Sequence, residues 1–82
     1  MFYNIEFNRS AFKHGVKEED IRWAFFHPCY DGPVEDYENK YIRLGFDRSG
    51  NLLEIMYNEY DQTVNIFHAM GCRNMYHPLL NY

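Results

Sequence analysis

The chain has 82 residues, enough for a single domain, and it is 20% aromatic and 24% charged with a net charge of −4. A chain of this length buries only roughly 60–65% of the surface that it exposes when unfolded, so large aromatic side chains are needed to fill its core. The acidic balance excludes a broad basic surface for nonspecific nucleic-acid binding. Any contact with RNA therefore has to be local.

The sequence contains no apolar run that approaches the roughly 18 residues of a membrane span. Its first residues lack the basic and apolar regions of a signal peptide. We therefore expect a cytoplasmic protein. Cys29 and Cys72 lie far apart without a C-x-x-C motif, which favours reduced thiols over a disulfide framework.

The first half of the chain predicts one strand and two helices. Alternating side chains predict a strand over Phe2–Phe7. Asn8 begins a stretch with N-cap chemistry for a short helix, and Gly15 ends that helix because glycine tolerates a positive φ. Three acidic residues at positions 18–20 favour the start of a second helix that runs to about His27, before Pro28.

The second helix is rich in apolar side chains. Ile21, Ala24 and Phe25 recur at i, i+3 and i+4, which predicts a face packed on a sheet. Trp23 and Phe26 widen this apolar arc. In so small a domain we expect them to be core side chains rather than the lining of a ligand pocket.

The stretch Lys40–Met70 organises the rest of the fold. Three apolar runs separated by turn signals at residues 47–51 and 59–62 predict a three-stranded antiparallel meander. An extra edge strand is compatible with the sequence near Tyr30 or Val34, before an acidic loop. The expected fold class is α+β, with short helices packed on an antiparallel three- to four-stranded meander in one domain over residues 1–82. The expected single core contains Phe12, Val16, Ile21, Ala24, Phe25, Leu44, Ile55 and Ile66.

Parity along the meander assigns side chains to the two sheet faces. His68 shares parity with Val64 and Ile66, which predicts a half-buried, hydrogen-bonded histidine facing the helices, with an acid/base role as the alternative. Arg43 and Glu54 are expected to form a cross-strand ion pair on the outer face. That outer face, with Tyr41, Met56 and Phe67 among polar residues, is expected to bury surface against a partner or to be partly covered by the tail.

Catalytic motifs are scarce in this sequence. The four histidines and two cysteines show no spacing typical of a metal site, and no P-loop or nucleophilic serine motif occurs. We therefore expect neither a metal nor another cofactor.

Four segments of the chain resemble one protein family: Lys13–Val16, Glu18–Ile21, Asp47–Glu54 and Ile66–Met70. Together they are similar to small bacterial BrnT-like toxins of type II toxin–antitoxin systems, within the RelE/ParE-like fold. The resemblance covers nearly the whole chain. It implies a metal-independent endoribonuclease that is neutralised by an antitoxin encoded in a neighbouring gene.

The resemblance also implies a set of site residues. Where the family has a basic residue near the end of its last core strand, this chain has His68-Ala69-Met70, so His68 and Arg73 are the substitutes. A base, a cation for the phosphorane charge and an acid are required for cleavage of RNA without a metal. The implied catalytic residues are Arg43, Glu54 and His68, and the implied RNA-binding residues are Lys13, His14 and Arg73.

A different class of function remains open. The same fold can serve as a non-catalytic protein-interaction domain, since exposed tyrosine and methionine side chains favour protein contacts. The expected partners are an antitoxin, RNA or a second copy of the chain, and no membrane.

Overall fold

A computed structural model describes residues 4–80, and in this range the chain forms an α+β fold built on a five-stranded sheet. One helix, α1 (Glu18–Phe26), is preceded by a 3₁₀ turn (Arg9–Phe12), and a C-terminal 3₁₀ segment (Asn74–Leu80) ends the described chain. No helix within this range is long and apolar enough to cross a membrane. The strands are β1 (Asn4–Phe7), β2 (Pro28–Pro33), β3 (Tyr41–Phe46), β4 (Leu52–Tyr60) and β5 (Thr63–Gly71).

The sheet has the order β1-β5-β4-β3-β2. Strands β2 to β5 form the antiparallel meander, with β2 as the extra edge strand near Tyr30. Strand β1 pairs with β5 in parallel, with Phe7 opposite Ile66, so the sheet is mixed and the expectation of an antiparallel sheet is wrong in this respect. The reason is that no hairpin joins β1 to its neighbour, since the 3₁₀ turn and α1 carry the chain across one face to the opposite edge.

Local signals in the first half of the chain predicted the observed structure well. Asn8 caps the 3₁₀ turn, with its side chain accepting a hydrogen bond from the Ser10 N–H, and Gly15 has a φ of +82°. Helix α1 ends one residue before His27, whose N–H donates to the Ala24 carbonyl. Phe2 and Tyr3 of the predicted first strand lie outside the described residues.

The sheet has a core on each of its two faces, whereas the sequence predicted a single core. On the first face, α1 and the 3₁₀ turn cover a cluster that includes Ile21, Phe25 and Ile55. On the second face, the C-terminal segment covers Ile42, Leu44 and Met56. Leu44 therefore belongs to the second core, because alternate residues of a strand point to opposite faces. Met56 and Phe67 lie on this second face, where the tail packs on the same cluster, so of the two alternatives the partial cover by the tail is confirmed. Tyr41 packs on the first-face cluster instead, so its predicted place beside Met56 and Phe67 is wrong.

Three aromatic side chains predicted to be buried are exposed. Phe12 is 38% exposed, Trp23 42% and Phe26 54%. Helix α1 buries only the Ile21, Ala24 and Phe25 face, because a single helix on a sheet contacts it along one stripe.

Candidate active site

Glu54 is a fully buried carboxylate on the second face of the sheet. Its Oε2 accepts a hydrogen bond from Arg73 Nη2 at 2.7 Å, and its Oε1 accepts from the Arg73 backbone N–H at 2.9 Å. His68 Nε2 lies 2.9 Å from Oε2. Because a carboxylate only accepts, the hydrogen of this bond is carried by His68 Nε2.

The charged state of Glu54 is stabilised by these donors. Burial alone would raise the pKa of the Glu54 carboxyl group, but the hydrogen bonds from Arg73 and His68 outweigh it and leave this pKa below its ordinary value. The same contact raises the pKa of Arg73. Glu54 and Arg73 are therefore an ion pair at neutral pH.

His68 reaches Glu54 because of a bulge in β5. Met56 pairs with His68 but Tyr57 pairs with Ile66, so Phe67 is an extra residue that shifts the register. The bulge reverses the parity of the strand beyond it and moves His68 to the second face. The prediction that His68 faces the helices together with Val64 and Ile66 is therefore wrong, and the prediction of a half-buried, hydrogen-bonded histidine is confirmed.

The ring of His14 lies against the ring of His68. The two ring centroids lie 5.5 Å apart in an edge-on arrangement. The 3₁₀ turn that precedes His14 is held on the strand by the Ser10 hydroxyl, which donates to the Phe67 carbonyl at 2.5 Å. His14 and its neighbour Lys13 are both exposed. The structure thus gathers His14, Glu54, His68 and Arg73, hereafter the histidine cluster.

Arg43 lies on the opposite face of the sheet from this cluster. Its register partner in β4 is Ile55, whereas Glu54 is opposite Leu44, so the predicted Arg43–Glu54 ion pair is wrong. Arg43 Nη1 instead donates to the Phe25 carbonyl at 2.7 Å at the end of α1. Its Nε contacts Asp31 Oδ1 at 3.1 Å. Arg43 is thus a C-terminal cap for α1 and does not reach the histidine cluster.

The histidine cluster contains the groups needed for proton transfer without a metal. Histidine is the side chain that changes protonation near neutral pH, and two imidazoles lie here beside a half-exposed guanidinium. Within residues 4–80, there is no group of three or more His, Cys, Asp or Glu side chains that could hold a metal ion.

No protein-family model matches the sequence, and a search of curated proteins finds no match.

Sequence reasoning assigned no function to the outer face of α1. Arg22, Trp23 and Phe26 lie on this face, opposite the buried stripe. Their placement follows from the helical period, since Ile21, Ala24 and Phe25 already complete one apolar stripe. The signal was therefore present in the sequence, but the aromatic residues were assigned to the core.

Proposed function

We propose that the chain is the toxin of a type II toxin–antitoxin pair, with a RelE/BrnT-like fold, and that it cleaves RNA without a metal ion. The observation that carries this proposal is the 5.5 Å approach of the His14 and His68 rings beside Glu54 and Arg73. The Glu54–Arg73 contact alone has a structural explanation, because it anchors the tail. That explanation does not require two histidines at the same point.

The cluster suggests a role for each residue. His68 takes the proton from the ribose 2′-hydroxyl, and the 2′-oxygen attacks the adjacent phosphorus. His14 protonates the departing 5′-oxygen, which leaves a 2′,3′-cyclic phosphate on one product and a 5′-hydroxyl on the other. Arg73, whose side chain is 46% exposed, stabilises the charge on the phosphorane.

Glu54 acts through His68 and not on the substrate. It is fully buried, so RNA cannot reach it, and its bond to Nε2 directs His68 to accept a proton at Nδ1. Glu54 is therefore a positioning residue. Lys13, exposed beside His14, supplies a further positive charge for the RNA backbone.

The test is cleavage of single-stranded RNA by purified protein in the presence of a metal chelator. We expect wild type to produce cyclic phosphate ends, and His14→Ala to lose about 10²- to 10⁴-fold in rate, as the loss of one acid/base group predicts. His77→Ala, which removes an exposed histidine in the C-terminal segment, is the matched control. Intact RNA after treatment with wild type, or undiminished cleavage by His14→Ala, would refute the proposal.

The proposal also requires a partner. Expression in a bacterial host should slow growth, and co-expression of the protein encoded by the neighbouring reading frame should relieve this effect. The alternative, a non-catalytic interaction domain, is favoured by one observation: Trp23 and Phe26 are exposed on the same helix. Harmless expression together with intact RNA would support that alternative.

A further inference from the structure

The outer face of α1 carries a groove that the proposed reaction does not use. The volume of the groove is about 360 Å³, at the small end of the range for ligand sites. Trp23 and Phe26 provide its apolar surface, and Trp23 stacks on His27 with ring centroids 4.1 Å apart and planes 18° apart. The lining residues are Glu19, Arg22, Trp23, Phe26, His27 and Arg48.

Two arginines flank the aromatic surface. The guanidinium of Arg48 lies 5.9 Å from the centre of the Trp23 ring. Arg22 forms an ion pair with Glu18 in which both side chains are about half exposed, and such a pair is weak enough for Arg22 to contact another anion. Stacked aromatic rings with arginines beside them are the combination that holds unpaired bases and their phosphates.

We propose that this groove, hereafter the α1 groove, binds single-stranded RNA, with bases stacked on Trp23 and Phe26 and phosphates contacted by Arg22 and Arg48. The lining has two arginines and one carboxylate, Glu19, and this excess of positive charge favours RNA over an uncharged apolar partner, because each phosphate contact releases counterions. This inference deepens the proposed function and rests on it, because cleavage of the bound RNA would require the histidine cluster. The binding itself can be measured separately.

A series of aromatic contacts runs from the α1 groove to the 3₁₀ turn that precedes His14. The guanidinium of Arg22 lies 5.1 Å from the centre of the Phe7 ring, and Phe7 stacks on Phe12 at 5.4 Å. Phe12 leads directly into Lys13 and His14. Because α1 covers the first face of the sheet and Glu54 and His68 lie on the second, a single strand in the α1 groove would reach the histidines by following the 3₁₀ turn to His14.

The two sites also lie at the same end of the sheet. Arg48 sits in the turn before β4, and Glu54 is near the start of that strand, paired with Met70 near the end of β5. The acidic loop with Glu35 and Asp36 follows β2 at the opposite end of β3, so the acidic groups nearest the groove are those in the first turn of α1, of which Glu19 lines it.

The test is the affinity for a short single-stranded RNA with 2′-O-methyl riboses, which cannot be cleaved through the 2′-oxygen. Because Trp23 is the only tryptophan of the chain, stacking should quench the intrinsic emission of the wild type. By anisotropy of a labelled oligonucleotide, Trp23→Ala should weaken binding about 5- to 150-fold, the range for loss of one base–aromatic stack. Tyr37→Ala, which removes a 60% exposed aromatic side chain from the acidic loop, should leave the affinity unchanged.

The sign of the charge effects provides a second readout. Arg48→Ala should weaken binding and lower the slope of log affinity against log salt by about one. Glu19→Gln, which removes a carboxylate from the lining, should strengthen binding. Unchanged affinity in Trp23→Ala, or indifference to both charge changes, would overturn the inference. Conversion of a dimer to a monomer by Trp23→Ala, with RNA affinity retained, would show instead that the groove joins two copies of the chain.

The two proposals can fail independently. Loss of binding in Trp23→Ala, with cleavage of ordinary RNA unaffected by His14→Ala, would refute the histidine mechanism and leave the α1 groove as an RNA site. Cleavage that requires His14, with full RNA affinity in Trp23→Ala, would refute the groove alone.

Discussion

Removing the Arg73 side chain should destabilise the protein much more than removal of an ordinary surface arginine. Arg73 lies just after β5, and its guanidinium contacts both oxygens of Glu54, at 3.1 Å from Nε to Oε1 and 2.7 Å from Nη2 to Oε2. Glu54 is fully buried when Arg73 is in place, so in Arg73→Ala its carboxylate loses these donors and only water that enters the space left by the side chain can replace them. The carboxylate would retain only the Arg73 backbone N–H and His68.

The expected loss of stability in Arg73→Ala depends on the hydrogen-bond donors that Glu54 keeps. Breaking a buried ion pair outright costs about 3–5 kcal/mol. Here two donors to Glu54 survive and the Arg73 side chain is 46% exposed, which reduces the loss. We expect the free energy of unfolding to fall by about 2–3 kcal/mol, within the range for hydrogen bonds to a charged group. In a domain of this size that corresponds to a fall of about 10–20 °C in the melting temperature.

Thermal and denaturant unfolding at neutral pH measure this loss. Arg22→Ala is the matched control, since it breaks an exposed arginine–glutamate pair and should cost under about 1 kcal/mol. Arg73→Lys keeps the charge but loses the two-point contact, so its stability should lie between those of wild type and Arg73→Ala. A loss in Arg73→Ala no larger than in Arg22→Ala would show that the reasoning about the buried carboxylate is wrong.

Three further predictions concern stability. The pKa of Glu54 is lowered on folding, so its charged form stabilises the fold at pH values above the ordinary pKa of 4.5. The stability advantage of wild type over Glu54→Gln should therefore shrink as the pH falls below 4.5. Denaturant unfolding from pH 7 to pH 3 tests this. Phe25→Ala should cost about 3–5 kcal/mol by the same method, whereas Phe26→Ala, at its exposed neighbour, should cost under about 1 kcal/mol. Arg43→Ala should cost about 1.5–3 kcal/mol through the lost cap on α1, with cleavage activity per folded molecule unchanged.

The parts of the fold that depend on neighbouring residues were predictable from the sequence. The cap at Asn8, the positive φ at Gly15 and the bounds of α1 all follow from side chains within a few positions. The meander followed from turn signals between apolar runs for the same reason. Strand β1 was predicted as a strand, but its parallel pairing with β5 depends on a contact between the two ends of the chain.

The candidate site was less predictable because one extra residue reverses the parity of a strand. Phe67 is a typical strand residue, and nothing in its neighbours marks the bulge that carries His68 to the face of Glu54. Of the six residues implied by the family resemblance, His14, Glu54, His68 and Arg73 lie together, whereas Arg43 lies on the other face of the sheet from Glu54.

The position of Glu54 gives the buried carboxylate two roles at once. Its bonds to Arg73 hold the start of the C-terminal segment, and that segment covers the second core. Its bond to His68 fixes the orientation of an imidazole that lies against His14. An ion pair that served the tail alone would be replaceable by apolar side chains at little cost in stability. The bond to His68 gives the charge a second role that an apolar side chain could not fill, so the stability of the tail and the geometry of the proposed reaction depend on the same carboxylate.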